Sequence, residues 1–229
     1  MVIGGLQKLS LLDYPGKPCA IVFTQGCVFR CAYCHNPDLI PITQQGAITE
    51  EEVLSFLDGK RKMLDAVCIT GGEPTIQVGL EEFIKKLKDR GFLVKLDTNG
   101  INPDIVESLW KQKLIDYVAM DLKQTWEKYD EVIRINQPKV VDRCKQTFEL
   151  IQREGIPHEF RTTILPGSHT EEDFMTMAGY LKPGENYFIQ PMNFKITLDD
   201  KIPRETGFDV DALMVRLHDA YPLIHFEKR

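Results

Sequence analysis

Cys27, Cys31 and Cys34 fall in one short segment with C-x3-C-x2-C spacing. Three thiolates supply three protein ligands, whereas a 4Fe–4S cluster ordinarily takes four, one per iron. One iron would keep an open position, the arrangement that goes with catalysis rather than with a closed structural site. Close cysteines in an irregular loop can bend around one corner of a cube; on a regular strand they would point to opposite faces. Two blander readings stay open on spacing alone. One is a zinc site completed by His35 or by a distant fourth ligand. The other is a set of buried thiols that merely pack.

Apolar, β-branched runs alternate with amphipathic segments along most of the chain, and these elements must position the thiols. Strands are expected over 18–24, 64–70, 92–98, 115–122, 158–164 and 187–190. Thr49-Glu50-Glu51-Glu52 reads as a capping box that opens the first helix. Leu80, Phe83, Ile84 and Leu87 fall at helical spacing, and Asn102-Pro103 opens the next helix. Further helices are expected over 138–154, 170–181 and 210–219. Six strand–helix units imply a parallel sheet but are too few for a closed eight-unit barrel. The expected fold is α/β, an open, partial (β/α)6 barrel of mostly parallel strands in a single domain, residues 1–229. Its core spans about 15–195, and a helical extension over about 196–229 closes the sheet edge or forms a docking rim. A doubly wound flat sheet is the alternative.

Carboxyl ends of parallel strands are where α/β folds assemble their sites. The cysteine loop follows the first expected strand and Gly71-Gly72-Glu73-Pro74 the second. Asp97-Thr98 ends the third, Asp121-Leu122-Lys123 the fourth and Gln190 the sixth. Two glycines let backbone approach a ligand and Glu73 could pair with an ammonium; as plain turn chemistry the run is a tight corner. Asp97 and Thr98 read as cation or hydroxyl contacts, or as a loop start capped by its own side chains. Asp121 and Lys123 point to the same side of their strand, toward a ligand or into a surface ion pair. Tyr33 could cover a cluster or stack on a flat base. Arg161, in an otherwise apolar strand, needs a partner such as Asp121 or a bound carboxylate. His35 reads as a packing residue rather than a ligand.

Composition narrows the class. The 229 residues are 43% hydrophobic and 27% charged, ordinary for a globular enzyme. With 28 Lys plus Arg against 34 Asp plus Glu, the net charge is −6, which argues against a nucleic-acid binder. No apolar run approaches bilayer length. Cys19, Cys68 and Cys144 are scattered singly and no basic-then-apolar leader is read, so the expectation is reduced thiols in the cytoplasm.

The three cysteines, Tyr33 before the last of them, and Gly71-Gly72-Glu73-Pro74 resemble the radical S-adenosylmethionine (SAM) superfamily. Asp13-Tyr14-Pro15-Gly16, Phe23-Thr24-Gln25-Gly26-Cys27 and Cys34-His35-Asn36-Pro37 narrow the resemblance to its glycyl-radical-enzyme activating type. Over residues 1–195 the chain is similar to activators of anaerobic ribonucleoside-triphosphate reductase and to pyruvate formate-lyase activating enzymes. The resemblance implies a 4Fe–4S cluster on Cys27, Cys31 and Cys34 whose open iron is chelated by SAM. One electron would then cleave SAM to methionine and a 5′-deoxyadenosyl radical, which takes a hydrogen atom from a partner's glycine. It places the methionine amino end at Gly71, Gly72 and Glu73, and ribose or carboxylate contacts at Thr98 and Lys123. A small monovalent cation would lie by Asp97 and Asp121, and adenine near Tyr33 and Gln190. The implied partners are a glycyl-radical enzyme, anaerobic ribonucleoside-triphosphate reductase first, and a low-potential electron donor such as flavodoxin or ferredoxin. Gln190 and Met192 depart from the pyruvate formate-lyase type, which carries a cofactor-contacting histidine there. The chain is also longer than compact reductase activators. A radical enzyme with another protein, peptide or small-molecule substrate, and a non-enzymatic iron–sulfur or zinc interaction module, are the competing readings.

Overall fold

The computed structural model describes residues 1–42, 45–135 and 137–229. The chain begins β1 (Ile3–Ser10), β2 (Cys19–Thr24), α1 (Glu50–Asp58), β3 (Ala66–Gly71), α2 (Leu80–Asp89), β4 (Leu93–Thr98), α3 (Pro103–Lys111) and β5 (Tyr117–Asp121). It continues α4 (Tyr129–Ile133), α5 (Pro138–Glu154), β6 (His158–Thr163), α6 (Glu171–Ala178), β7 (Asn186–Gln190), α7 (Val210–Ala220) and β8 (His225–Lys228). Local chemistry sets the helix starts. Thr49 and Glu52 form the expected capping box on α1, and Thr170 with Asp173 forms a second on α6. Proline opens α3 and α5, where a missing N–H costs nothing.

The eight strands lie in sequence order in one sheet. β1 is antiparallel to β2, and every later pairing is parallel. A doubly wound sheet would reverse its strand order at a switch point. Here the order never reverses, so right-handed crossovers all put their helices on one face and the sheet curls. β1 and β8 form its two edges, which leaves a partial barrel.

Strand alternation then separates two environments. Val22, Val67, Ile69, Val94, Leu96, Val118 and Met120 face the helix layer and join Val53, Leu57, Phe83, Ile84 and Leu87 in the main core. The opposite face lines the barrel interior, with a smaller apolar group of Tyr14, Cys19, Ile21, Ala66 and Cys68. Because every parallel strand rises the same way, the residues flagged at strand ends reach one mouth.

Two strands exceed the six expected. β1 contains Gly4 and Gly5 and few β-branched residues, so its pattern is weak. β8 has four residues, of which only Phe226 is buried. Its exposed His225, Glu227 and Lys228 suit an edge strand. The C-terminal stretch is therefore not a purely helical extension: α7 returns the chain to β8, which pairs with β7 through Tyr187 and Phe226.

One loop brace generates a pH prediction. Buried His169, between β6 and α6, accepts the Leu165 N–H through Nδ1 at 2.7 Å, and its Nε2 donates to the Lys123 carbonyl at 2.8 Å. Burial lowers its pKa from 6.5 to about 4, with Asp173 and Lys128 as the nearby charges. The unfolded chain therefore binds this proton first, so the stabilisation is complete above pH 6.5 and drains as pH falls toward 4. The loss should amount to about 3 kcal/mol. Urea midpoints at pH 7 and pH 4.5 should diverge less in His169→Asn than in the native protein; equal divergence would contradict this role.

Candidate active site

The cysteine loop is held from three sides. Gly26 and Cys27 donate to the Leu39 and Ile40 carbonyls at 2.7 and 3.0 Å. Arg30 N–H reaches the Ile133 carbonyl of α4, and the Ala32 carbonyl accepts from Asp199 after β7. Cys34 N–H closes a turn on the Cys31 carbonyl at 3.0 Å. The loop thus bends its three thiols into one cavity of about 360 Å³ at the mouth of the half-barrel. That volume falls in the range of small-molecule sites. All twelve candidate residues named from sequence line it: Cys27, Cys31 and Cys34; Tyr33, Gly71, Gly72 and Glu73; Asp97, Thr98, Asp121, Lys123 and Gln190.

Gly71 and Gly72 serve first as contact points between backbones. Gly72 N–H donates to the Thr24 carbonyl at 2.9 Å and Glu73 N–H to the Gly26 carbonyl at 2.8 Å. A side chain at Gly72 would collide with the Gly26 carbonyl, and Gly71 has φ +113°, a conformation reserved for glycine. Glu73 is a bracket rather than a free acceptor. Fully buried, its carboxylate receives Thr98 Oγ1 at 2.8 Å, Asn99 N–H at 2.7 Å, Thr75 N–H at 3.0 Å and the Thr75 hydroxyl. Burial raises its pKa above the ordinary carboxylate value, and those four donors oppose the rise.

Farther in, charges alternate across β4, β5 and β6. Asp121 and Arg161 are register partners on neighbouring strands. The Arg161 guanidinium donates to Asp121 Oδ1 at 3.0 and 3.2 Å and to Asp97 Oδ2 at 3.1 Å. Lys123 Nζ donates to Asp121 Oδ2 at 3.1 Å and lies 3.4 Å from the Tyr33 hydroxyl. Deeper, Lys95 Nζ contacts Glu159 at 3.2 Å and Asp97 Oδ1 at 3.5 Å. Burial alone would raise the Asp121 carboxyl, but Lys123 and Arg161 outweigh it and hold the pKa below its ordinary value. Burial would likewise lower the Lys123 pKa; Asp121, first among its anionic neighbours, raises it well above the ordinary value.

These contacts revise several expectations. In the Asp121–Lys123 pair the Lys123 side chain is buried, only 7% exposed, while Asp121 is half-buried at the mouth. The gap between Asp97 and Asp121, assigned by resemblance to a small cation, is bridged by the Arg161 guanidinium. This planar, always-protonated fork meets one oxygen of each carboxylate, and buried Asp97 Oδ1 is left with Lys95 Nζ at 3.5 Å and no hydrogen bond. Sequence reasoning missed Lys95 and Glu159. The usable signal was the one applied to Arg161: a charge at an inward position of an apolar strand.

The donor set also bears on what the thiols can hold. Among the described residues, no three His, Cys, Asp or Glu side chains surround a point that could hold one metal ion. Cluster ligands each take a separate iron and so stand wider apart than ligands to a single zinc, and thiolates are their usual type. Burial, with Glu73 as the nearest anion, pushes the Cys27 thiol up to about 12, and burial also raises Cys31 and Cys34. Unmetallated, these sulfurs stay protonated; bound iron would stabilise their thiolates. The residues therefore fit a three-thiolate 4Fe–4S cluster.

The bridging arginine is directly testable. Arg161→Met leaves Asp97 with only Lys95 at 3.5 Å while Asp121 keeps Lys123, which should cost about 3 kcal/mol, read as a lower urea midpoint. Exchanging potassium for tetramethylammonium chloride at constant ionic strength should leave the native melting temperature unchanged. A drop in the native protein would mean that a small cation is required after all.

Comparison with known proteins agrees with this geometry. Residues 21–181 match the Radical SAM superfamily. Over 206 residues the chain is 35% identical to a Methanocaldococcus jannaschii protein named for glycyl-radical enzyme activation, covering 89% of this chain and 85% of that one. It is 28% identical over 188 residues to the pyruvate formate-lyase-activating enzyme of Staphylococcus aureus, covering 76% and 72%. SuiB of Streptococcus suis, solved bound to S-adenosylmethionine, superposes with a TM-score of 0.70 at 16% identity, a likeness of fold. That overlap covers 90% of this chain and 48% of SuiB, so the chain spans about half of SuiB's length. The family uses a 4Fe–4S cluster and S-adenosylmethionine, and no helix among the described residues is long and apolar enough to cross a membrane. With its thiol-lined mouth on a sequentially ordered half-barrel and this breadth of matching sequence, the chain belongs to the radical SAM superfamily as an enzyme similar to the glycyl-radical enzyme activating enzymes.

Proposed function

We propose that this protein is an activase that generates a glycyl radical on a partner enzyme. The observation that carries the reading is the convergence of Cys27, Cys31 and Cys34 with Gly71, Gly72 and Lys123 on a single cavity. When bound, a 4Fe–4S cluster and SAM supply reductive carbon–sulfur cleavage and a 5′-deoxyadenosyl radical that removes hydrogen from a glycine.

The chain's own residues hold and orient. Cys27, Cys31 and Cys34 would be the cluster ligands, and the backbone around Gly71 and Gly72 would meet the methionine amino end of SAM. Glu73, committed to Thr75, Thr98 and Asn99, keeps the β3 and β4 turns in place for that contact. Lys123 supplies a fixed positive charge for the SAM carboxylate or ribose, its own charge secured by Asp121. Thr98 lines the same cavity with its hydroxyl committed to Glu73 and the Gly100 N–H, while Tyr33 and Gln190 line the walls where adenine would lie.

The partner's class follows from relatives named as glycyl-radical enzyme activators. Within that type the chain's overall pattern is similar to the activators of anaerobic ribonucleoside-triphosphate reductase, so the reductase is the first candidate. Gln190 and Met192, in place of a histidine, speak against pyruvate formate-lyase. A low-potential flavodoxin or ferredoxin would deliver the electron in the cytoplasm.

Anaerobically reconstituted protein with strong reductant should release methionine and 5′-deoxyadenosine from SAM. Cys31→Ser should lose at least about a hundredfold in rate, comparable to removing an essential transition-state group, while keeping the native circular dichroism spectrum. Added glycyl-radical enzymes, screened by electron paramagnetic resonance, should yield a protein radical with the reductase before the lyase. SAM left intact by the native protein would refute the activase reading, and cleavage with no protein radical from any such partner would move the substrate to a peptide or small molecule.

A further inference from the structure

Asn99 follows β4, and its side chain is unusually constrained for a loop residue. It is 5% exposed, and its backbone N–H is donated to Glu73 Oε2 at 2.7 Å. Its Oδ1 accepts the Ile101 N–H at 3.0 Å, which decides the orientation of the amide. The Nδ2 end is thereby turned toward Cys27 Sγ, 3.8 Å away and within reach of a large, diffuse acceptor. Cys27 Sγ also accepts the Phe29 N–H at 3.4 Å from within its own loop.

We propose that Asn99 is a positioning residue for the cluster, donating through its carboxamide to the Cys27 sulfur and thereby setting the cluster's reduction potential. The proposal rests on the cluster assignment to Cys27 given above. A donor to a ligating sulfur stabilises the more negative, reduced state more than the oxidised one, and such bonds are among the protein's levers on iron–sulfur potentials. Asparagine suits the position for two reasons. A carboxylate of the same length would set an anion against the thiolate, and a serine could keep the turn to Ile101 but would not span the distance to sulfur.

The role of Glu73 extends accordingly. Thr75 and Thr98 lock its carboxylate, the carboxylate locks the Asn99 backbone, and the Asn99 amide meets Cys27. The turn after β3 and the turn after β4 thus act together on one sulfur of the loop after β2. An error in that register would separate donor and acceptor without disturbing the three cysteines.

The test is a redox titration of the reconstituted full-length chain without SAM, following cluster absorbance, with iron and sulfide counted in each sample. Asn99→Ala and Asn99→Ser should both retain native cluster content. Each should be about tenfold harder to reduce in the one-electron equilibrium, a fall of ~59 mV. Asn99→Asp should fall further. Unshifted potentials in Asn99→Ser at native iron and sulfide content would overturn the proposal alone, as would a rise. If Asn99→Ala misfolds, Asn99→Ser decides; loss of the cluster from both would show a purely structural role and also overturn it. A native protein that takes up no 4Fe–4S cluster would sink the activase reading together with this proposal.

Discussion

Asp97, Asp121 and Glu159 meet Lys95, Lys123 and Arg161 inside the half-barrel, and Arg229 from the end of the chain joins Glu159 at 3.3 Å. Buried charges are tolerated only when each finds a partner in good geometry, and removing one member strands the rest. The register of β5 and β6 is therefore over-determined. Slipping either strand by one residue would send its charges under the helices and its apolar residues into the mouth. Asp121 pairs with Lys123 at 3.1 Å, so the fold holds that ammonium in the mouth beside a carboxylate of its own. The Arg161 bridge is the centre of this arrangement, because it joins the ends of β4 and β5 through a residue of β6.

A second bracket, built from neutral donors, complements the first. Glu73 gathers the turns after β3 and β4, and its own N–H and that of Gly72 tie them to the loop after β2. The cysteine loop has no regular structure of its own, so its shape comes from these anchors and from Leu39, Ile40 and Ile133. A precise metal site on an irregular loop requires such outside support. This explains why the glycines of the Gly71-Gly72-Glu73-Pro74 run are needed even before any ligand is considered.

Much of this was legible in the sequence, for definite reasons. Interior strands such as β3 and β4 are β-branched and apolar on the helix side, so their pattern stands out, and Thr49-Glu52 announces α1 through its capping chemistry. The mouth was legible because residues with chemistry cluster after strands. The edges were not: glycine-bearing β1 and the short, exposed β8 carry little periodic signal. Nor could sequence decide that Arg161 bridges two aspartates, because that depends on which strands become neighbours. Asn99 carries no signal of its own in the sequence, and its reach to Cys27 appears only once three turns meet in space.

All of this serves one coordination claim, that three sulfurs hold a cubane whose remaining iron is free for SAM. The most direct measurement is electron–nuclear double resonance of the reduced cluster with SAM carrying nitrogen-15 in its amino group and oxygen-17 in its carboxylate. Hyperfine couplings from both labels are predicted, marking direct chelation of one iron. A reduced cluster whose couplings ignore both labels, or a fourth protein ligand on that iron, would contradict the account.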